Sequence, residues 1–277
     1  GGPSAAINAS LAGVLAEGIA SKKIGKVYGA VNGISGVLAD HIQEMDMMAN
    51  EELLHLLKIT PAMALGSCRH KLAEIDSDPE SYQKIEAVFD KYNIGYFFYI
   101  GGNDSMDTVD KLNRYFCRIQ KDVKVIGVPK TIDNDLVMTD HTPGFGSAAK
   151  YLAVTVDEII RDTSIYAVKS VTIMEIMGRD SGWLTLAAAL PKLLGGSKPD
   201  IIALPEVAFD ENAFLEQINT LFQTTNNIVA VVSEGIRDQH GNYIGEDTKS
   251  GSTDIFGHRY LSGVGKYLEQ LVNAKIG

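Results

Sequence analysis

Lys130, Thr131, Asp133 and Asp135 fall within six residues, in the stretch Pro129-Lys130-Thr131-Ile132-Asp133-Asn134-Asp135. A cation, a hydroxyl and two carboxylates so close together suit chemistry in which an alcohol loses a proton beside a phosphate or a metal. Asp133 is a candidate general base, and Asp135 can orient it or hold a metal. Lys130 can neutralise developing phosphoryl charge, and the Thr131 hydroxyl can donate to a phosphate oxygen. Asp-Asn-Asp is also the composition of an ordinary Asx turn. The lysine and threonine just upstream tilt the balance toward chemistry.

Three further clusters have the same flavour. In Gly101-Gly102-Asn103-Asp104-Ser105 the paired glycines let a backbone approach an anion, and a helix opening there would present free N–H groups to it. Asn103 or Ser105 serves equally well as a helix cap, and Asp104 repels a phosphate unless a metal or lysine intervenes. In Met177-Gly178-Arg179-Asp180, Arg179 can grip a phosphate with two parallel hydrogen bonds, or can pair on the surface with Asp180 or Glu175. Glu206, after Leu204-Pro205, can accept sugar hydroxyls or cap the next turn. Arg69, His70 and Lys71 form a small basic cluster that reads first as a solvated face, and Gly1-Gly2-Pro3 is a weak second glycine turn.

These groups need elements to hold them. Apolar runs at 26–31, 96–100, 123–128, 164–175, 201–204 and 227–233 predict strands. Helical periodicity predicts helices running to about residue 18 and over 51–57, 81–92, 105–117, 146–161, 182–190, 214–222 and 263–274. The strand-then-helix order predicts an α/β fold with mostly parallel sheets. Several strands end in glycine plus a polar residue, which puts the candidate groups at carboxyl ends of strands, where such folds bind ligands. A second unit is expected to begin near residue 144.

A length of 277 residues with 45% hydrophobic content suits one large or two medium domains. The net charge of −10 argues against a nucleic-acid-wrapping protein. Cys68 and Cys117 make no disulfide or metal framework and suit a cytoplasmic setting. No apolar run is long enough to span a bilayer, and no signal peptide is expected. The chain reads as cut at both ends: no strand precedes the Gly1-Gly2 turn, and it stops straight after a helical segment.

Taken together, the segments 129–135, Met177-Gly178-Arg179, Gly101-Gly102-Asn103-Asp104-Ser105 and Pro205-Glu206 resemble the phosphofructokinase family over essentially the whole chain. The resemblance implies two Rossmann-like, three-layer α/β lobes with the active site in the cleft between them. It implies phosphoryl transfer to the 1-hydroxyl of fructose 6-phosphate with Mg2+, in glycolysis. The expected division is 1–144 plus 253–277 for the donor-binding lobe and 145–252 for the sugar-phosphate lobe. Asp133 matches the catalytic base, Asp135 its partner carboxylate, and Thr131 a contact to the transferred group or substrate. Met177, Gly178 and Arg179 match the sugar-phosphate segment, and Glu206 a sugar-hydroxyl ligand. Gly2, Gly102, Ser105, Arg69 and Lys71 match positions around the donor's phosphates. Further sugar-phosphate groups are expected after Gly257-His258-Arg259, so the 277 residues alone are not expected to be fully active.

Lys130 and Asp104 decide the expected donor. In the resemblance, glycine at both positions goes with ATP, whereas lysine and aspartate go with pyrophosphate. A carboxylate at 104 fills and charges the space a nucleotide α-phosphate needs. The expected donor is therefore pyrophosphate and the reaction reversible; the alternative is an ATP-dependent 6-phosphofructokinase. The family loop usually reads Gly-Gly-Asp with the aspartate on magnesium, but residue 103 is asparagine, so Asn103 and Asp104 are the expected metal contacts. A homodimer or homotetramer is implied, with no nucleic-acid or membrane partner.

Overall fold

The computed structural model describes residues 6–61, 63–245 and 263–277. It divides into two compact units, Gly1–Thr131 and Ile132–Gly277. Among the described residues no helix is long and apolar enough to cross a membrane.

The first unit opens with α1 (Ala6–Ala20), where Ile7, Leu11 and Leu15 recur on one buried face. The short β1 (Tyr28–Ala30) pairs antiparallel with β2 (Ile42–Glu44), and α2 (Gly33–Leu38) lies between them. In α3 (Glu51–Ile59) the Asn50 side chain accepts from Glu52 N and Leu53 N, which fixes the helix start. α4 (Pro79–Lys91) is started the same way by Asp78, with proline in the first turn. Then β3 (Tyr96–Gly101), α5 (Asn103–Arg118) and β4 (Lys124–Pro129) form a βαβ unit, the strands parallel from Tyr96↔Lys124 to Gly101↔Pro129. Ile34, Leu72, Tyr82, Ile85, Leu112 and Phe116 are buried together, each worth roughly 1.5–3 kcal/mol for a side chain of this size. α5 sits close on β4 because residue 127 is glycine: a Cβ there would stand 2.7 Å from Met106 Sδ.

The second unit contains α6 (Phe145–Thr163), β5 (Ser170–Ile176), α7 (Trp183–Leu186), α8 (Leu190–Leu193), β6 (Ile201–Ala203), α9 (Glu211–Leu221), β7 (Asn227–Ser233) and α10 (Val264–Lys275). The strands form one parallel sheet in the order β5-β7-β6. Central β7 is apolar and buried from Ile228 to Val232, as a strand covered on both faces must be. Val229 and Val231 face a core with Phe145, Leu152, Val156 and Leu184. Ile228, Ala230 and Val232 face the opposite one, with Phe214, Ile218, Val264 and Leu268. Alternation along one strand thus gives helices on both sides, the three-layer arrangement expected.

The structure departs from the sequence reading in five places. The helix expected over 182–190 breaks into α7, a 3-10 turn over Ala187–Ala189, and α8, which carries proline in its first turn. The strand expected over 164–175 begins only at Ser170. α2 and β2 are too short to leave a periodic signal. The unit boundary falls after Thr131 rather than near 144, because Ile132 packs against the core of Phe145 and Leu152. Residues 263–277, expected with the first lobe, lie in the second unit, since Val264 and Leu268 complete the core beside β7. Residues 253–262 lie outside the described residues.

Candidate active site

In the first unit, β3 and β4 end level with each other, and the Lys130 N–H donates to the Gly101 carbonyl at 3.0 Å. The glycine loop and the lysine therefore share one strand-end edge. α5 starts immediately afterwards. Gly102 is its N-cap and supplies no side-chain cap; its carbonyl accepts from Ser105 N at 2.9 Å and Met106 N at 3.0 Å. Neither Asn103 nor Ser105 takes the capping position that the sequence left open to both. With Ser105 N engaged by Gly102, the N–H groups of Asn103 and Asp104 are the first-turn donors that can meet an anion. Lys130 is only 9% exposed, unusually buried for a lysine. Asp104 is half-buried in the same first turn, while Asn103 is exposed.

Arg69 and Lys71 lie exposed in the loop before α4. Neighbouring Cys68 ties that loop toward β3, its Sγ 3.9 Å from the Tyr99 hydroxyl. Burial above all pushes the Tyr99 phenol upward from its ordinary pKa. Gly2 and His258 lie outside the described residues. A cavity of about 950 Å³ lies among α1, β1, α4 and β3, and neither residues 101–105 nor Lys130 line it. It follows an edge of β3 left without a strand partner among the described residues, and is separate from the chemistry.

In the second unit, the chain leaves Ile132 into a turn that Asn134 organises. Asn134 has φ 58° and is buried. Its Oδ1 accepts from Thr142 N at 2.8 Å and its Nδ2 donates to the Asp140 carbonyl at 3.1 Å. Asn134 therefore performs the Asx-type structural work, leaving Asp133 half-buried and Asp135 exposed on either side. Ser181 donates its hydroxyl to the Asp133 carbonyl at 2.8 Å.

The Met177–Ser181 loop follows β5. Glu175 accepts from Gly265 N at 2.8 Å, and Asp180 pairs with Arg237. Both carboxylates that could have neutralised Arg179 are thus engaged elsewhere, and its guanidinium has no protein partner among the described residues. Gly178 has φ 132°, a conformation that favours glycine. Its carbonyl accepts from the Ser233 hydroxyl, and its N–H donates to Glu234 Oε1 at 3.2 Å. Met177 is exposed beside it. Glu206 accepts from Gly182 N at 2.7 Å through one carboxylate oxygen.

Among the described residues no group of three or more His, Cys, Asp or Glu side chains converges as a metal cage. One carboxylate and one amide in the first turn of α5 fit a magnesium ion that keeps waters and arrives on a phosphate ligand.

The family model for phosphofructokinase matches residues 1–277. The chain belongs to the phosphofructokinase family. Enzymes named pyrophosphate--fructose 6-phosphate 1-phosphotransferase are similar to it: that of Xanthomonas campestris is 42% identical over 279 residues, covering 100% of this chain and 66% of its own. The one from Halomonas elongata is 39% identical over 280 residues, with the same coverage. A crystal structure of a pyrophosphate-dependent phosphofructokinase from Nitrosospira multiformis superposes with a TM-score of 0.83 at 33% identity, covering 100% of this chain and 65% of that one. The chain thus spans 66% of the length of these curated relatives. Its α/β architecture with mostly parallel sheets is that of the family.

Sequence reasoning passed over Asn134, Ser181, Ser233, Gly235 and Arg237, which hold the candidate residues in place. The Asn within Asp-Asn-Asp was the one legible signal. The serines bond to loops dozens of residues away and leave none.

Proposed function

We propose that the whole protein transfers a phosphoryl group reversibly from pyrophosphate to the 1-hydroxyl of fructose 6-phosphate. The products are fructose 1,6-bisphosphate and phosphate. The observation that carries this reading is Lys130, buried at the end of β4 and bonded to the glycine loop, with Asp104 in the first turn of α5. The lysine and the N-terminal amides of α5 suit a compact, highly charged donor. The Asp104 carboxylate would repel the α-phosphate of a nucleotide. The names of the relatives from Xanthomonas and Halomonas support the same donor.

In this reading Asp133 accepts the proton of the 1-hydroxyl as its oxygen bonds to phosphorus. The bond from that phosphorus to the bridging oxygen of pyrophosphate breaks, and phosphate leaves. Lys130 and Thr131 contact the reacting phosphates, and Asp135 supports Asp133. Gly2, Gly102, Ser105, Arg69 and Lys71 face the donor. Arg179, with the Met177-Gly178 backbone, grips the 6-phosphate. Glu206 accepts from Gly182 N through one oxygen and accepts sugar hydroxyls with its remaining lone pairs. Bound through Asn103 and Asp104, Mg2+ would neutralise donor phosphate charge. A homodimer or homotetramer in the cytoplasm suits the family resemblance.

The test is a comparison of donors with the full-length protein. Turnover with pyrophosphate and little with ATP is expected, in both directions of the reaction. Saturable turnover with ATP and silence with pyrophosphate would overturn the reading.

A further inference from the structure

We propose that Ser181 and Ser233 are positioning residues that lock three loops of the second unit, 132–135, 177–182 and 233–237, into one platform. The platform holds the Asp133 base and the Arg179 guanidinium at a fixed spacing. The inference rests on the roles given to Asp133 and Arg179 above, and assigns function to side chains that touch neither substrate.

Ser233 is the root. It ends the central strand β7 and is 0% exposed. Its hydroxyl donates to the Gly178 carbonyl and accepts from Gly235 N at 3.3 Å. Gly178 is held from its other side as well, since its N–H donates to Glu234. Both backbone polar groups of the residue preceding Arg179 are therefore bonded to the 233–235 loop. Gly235 allows the close approach: a Cβ at that position would overlap the Arg179 carbonyl oxygen. Ile236 anchors the loop in the core, fully buried. Arg237 stacks over the Tyr243 ring at 4.4 Å and pairs with Asp180, drawing that carboxylate away from Arg179.

Ser181 is the link to the base. It is 8% exposed, and its hydroxyl reaches the Asp133 carbonyl 48 residues away. Small buried hydroxyls commonly bond back to their own local backbone. Both serines here bond instead to a carbonyl within or beside a candidate catalytic segment. Two hydrogen bonds thus tie the 177–182 loop at both ends, through Gly178 to Ser233 at the end of the central strand and through Ser181 to Asp133. Displacement by even 1 Å of a group so supported can cost about 100-fold in rate.

The experiment uses the full-length enzyme with Ser181→Ala, Ser181→Thr and Ser233→Ala. It reads steady-state kinetics together with amide hydrogen exchange over 132–135 and 177–182. Ser181→Ala is expected to lower kcat about tenfold or more while the KM for pyrophosphate stays within about threefold. Ser181→Thr, which keeps the hydroxyl, should recover most of the loss. Ser233→Ala should chiefly raise the KM for fructose 6-phosphate, as Arg179 loosens. In Ser181→Ala the 132–135 amides should exchange about fivefold faster, the effect of losing one buried hydrogen bond. Unchanged exchange there overturns the proposal, as does a lowered Tm with kcat within about twofold of wild type. A wild-type enzyme silent with pyrophosphate and fructose 6-phosphate would sink the functional reading instead. The exchange measurement still decides the linkage in that case.

Discussion

At the scale of single residues, charge and burial carry the chemistry. Asp133 is half-buried with its backbone fixed by Ser181, so its carboxylate is the group to remove. Asp133→Ser is expected to lower kcat about 1,000-fold, within the range for loss of a general base, while calorimetry still detects fructose 6-phosphate binding. Retention of substantial turnover would refute the assignment. Lys130 and Asp104 are the proposed donor discriminators. The double variant Lys130→Gly with Asp104→Gly should lose pyrophosphate-dependent turnover about 100-fold or more and gain measurable turnover with ATP. An unaltered ratio of rates with the two donors would remove the electrostatic argument. Arg179 shows why neighbours matter at this scale. Its freedom comes from Asp180 and Glu175 having found other partners, which no inspection of residues 175–180 alone reveals.

At the scale of elements, loops are held by a few side chains. Asn134 combines a left-handed backbone with two side-chain hydrogen bonds to the 140–142 segment. Asn134→Ala should cost about 2 kcal/mol, from lost hydrogen bonds and a strained backbone. Asn134→Gly keeps the backbone freedom and should cost less. Urea denaturation of both variants separates the two contributions. Of the elements, α5, β3, β4, α6 and β7 were legible because their apolar patterns are long and regular. α2 and β2, six and three residues long, were not. The apolar face of α10 was equally legible, but its docking partner was not. Leu268 is fully buried against β7's neighbours, so Leu268→Ala should destabilise by about 3 kcal/mol and reduce amide protection in β5 and β7. Protection unchanged in those strands would contradict the packing.

At the scale of the whole molecule, each unit carries a tyrosine whose phenol donates to a carboxylate. Tyr115 donates to Glu86 at 2.6 Å, and burial first, then that bond, pushes its pKa up to about 12. Tyr267 donates to Glu211 at 2.6 Å, and that bond first, then burial, pushes its pKa up to about 12. Each folded-state pKa lies above the ordinary tyrosine value of 10.0, so the native state holds the proton longer than the unfolded chain. The associated stability is present below pH 10 and is lost as pH rises toward about 12. Thermal melts across that window should show Tm falling, and Tyr115→Phe and Tyr267→Phe should each flatten the fall. A slope unaffected by both substitutions would exclude these groups as its source.

The sequence by itself determined the chemical content of this chain: which side chains are available, their order, and the strand ends that carry them. It did so because strand and helix periodicities and glycine turns are local properties, encoded in neighbouring residues. Only the tertiary structure decided the unit boundary after Thr131, the place of α10 beside β7, the engagement of Glu206 with Gly182, and the release of Arg179 from its neighbouring carboxylates. Each of these depends on hydrogen bonds or apolar contacts between residues far apart in the chain. Such contacts are selected by the packing of the whole core, and they leave no periodic trace in the segments they join.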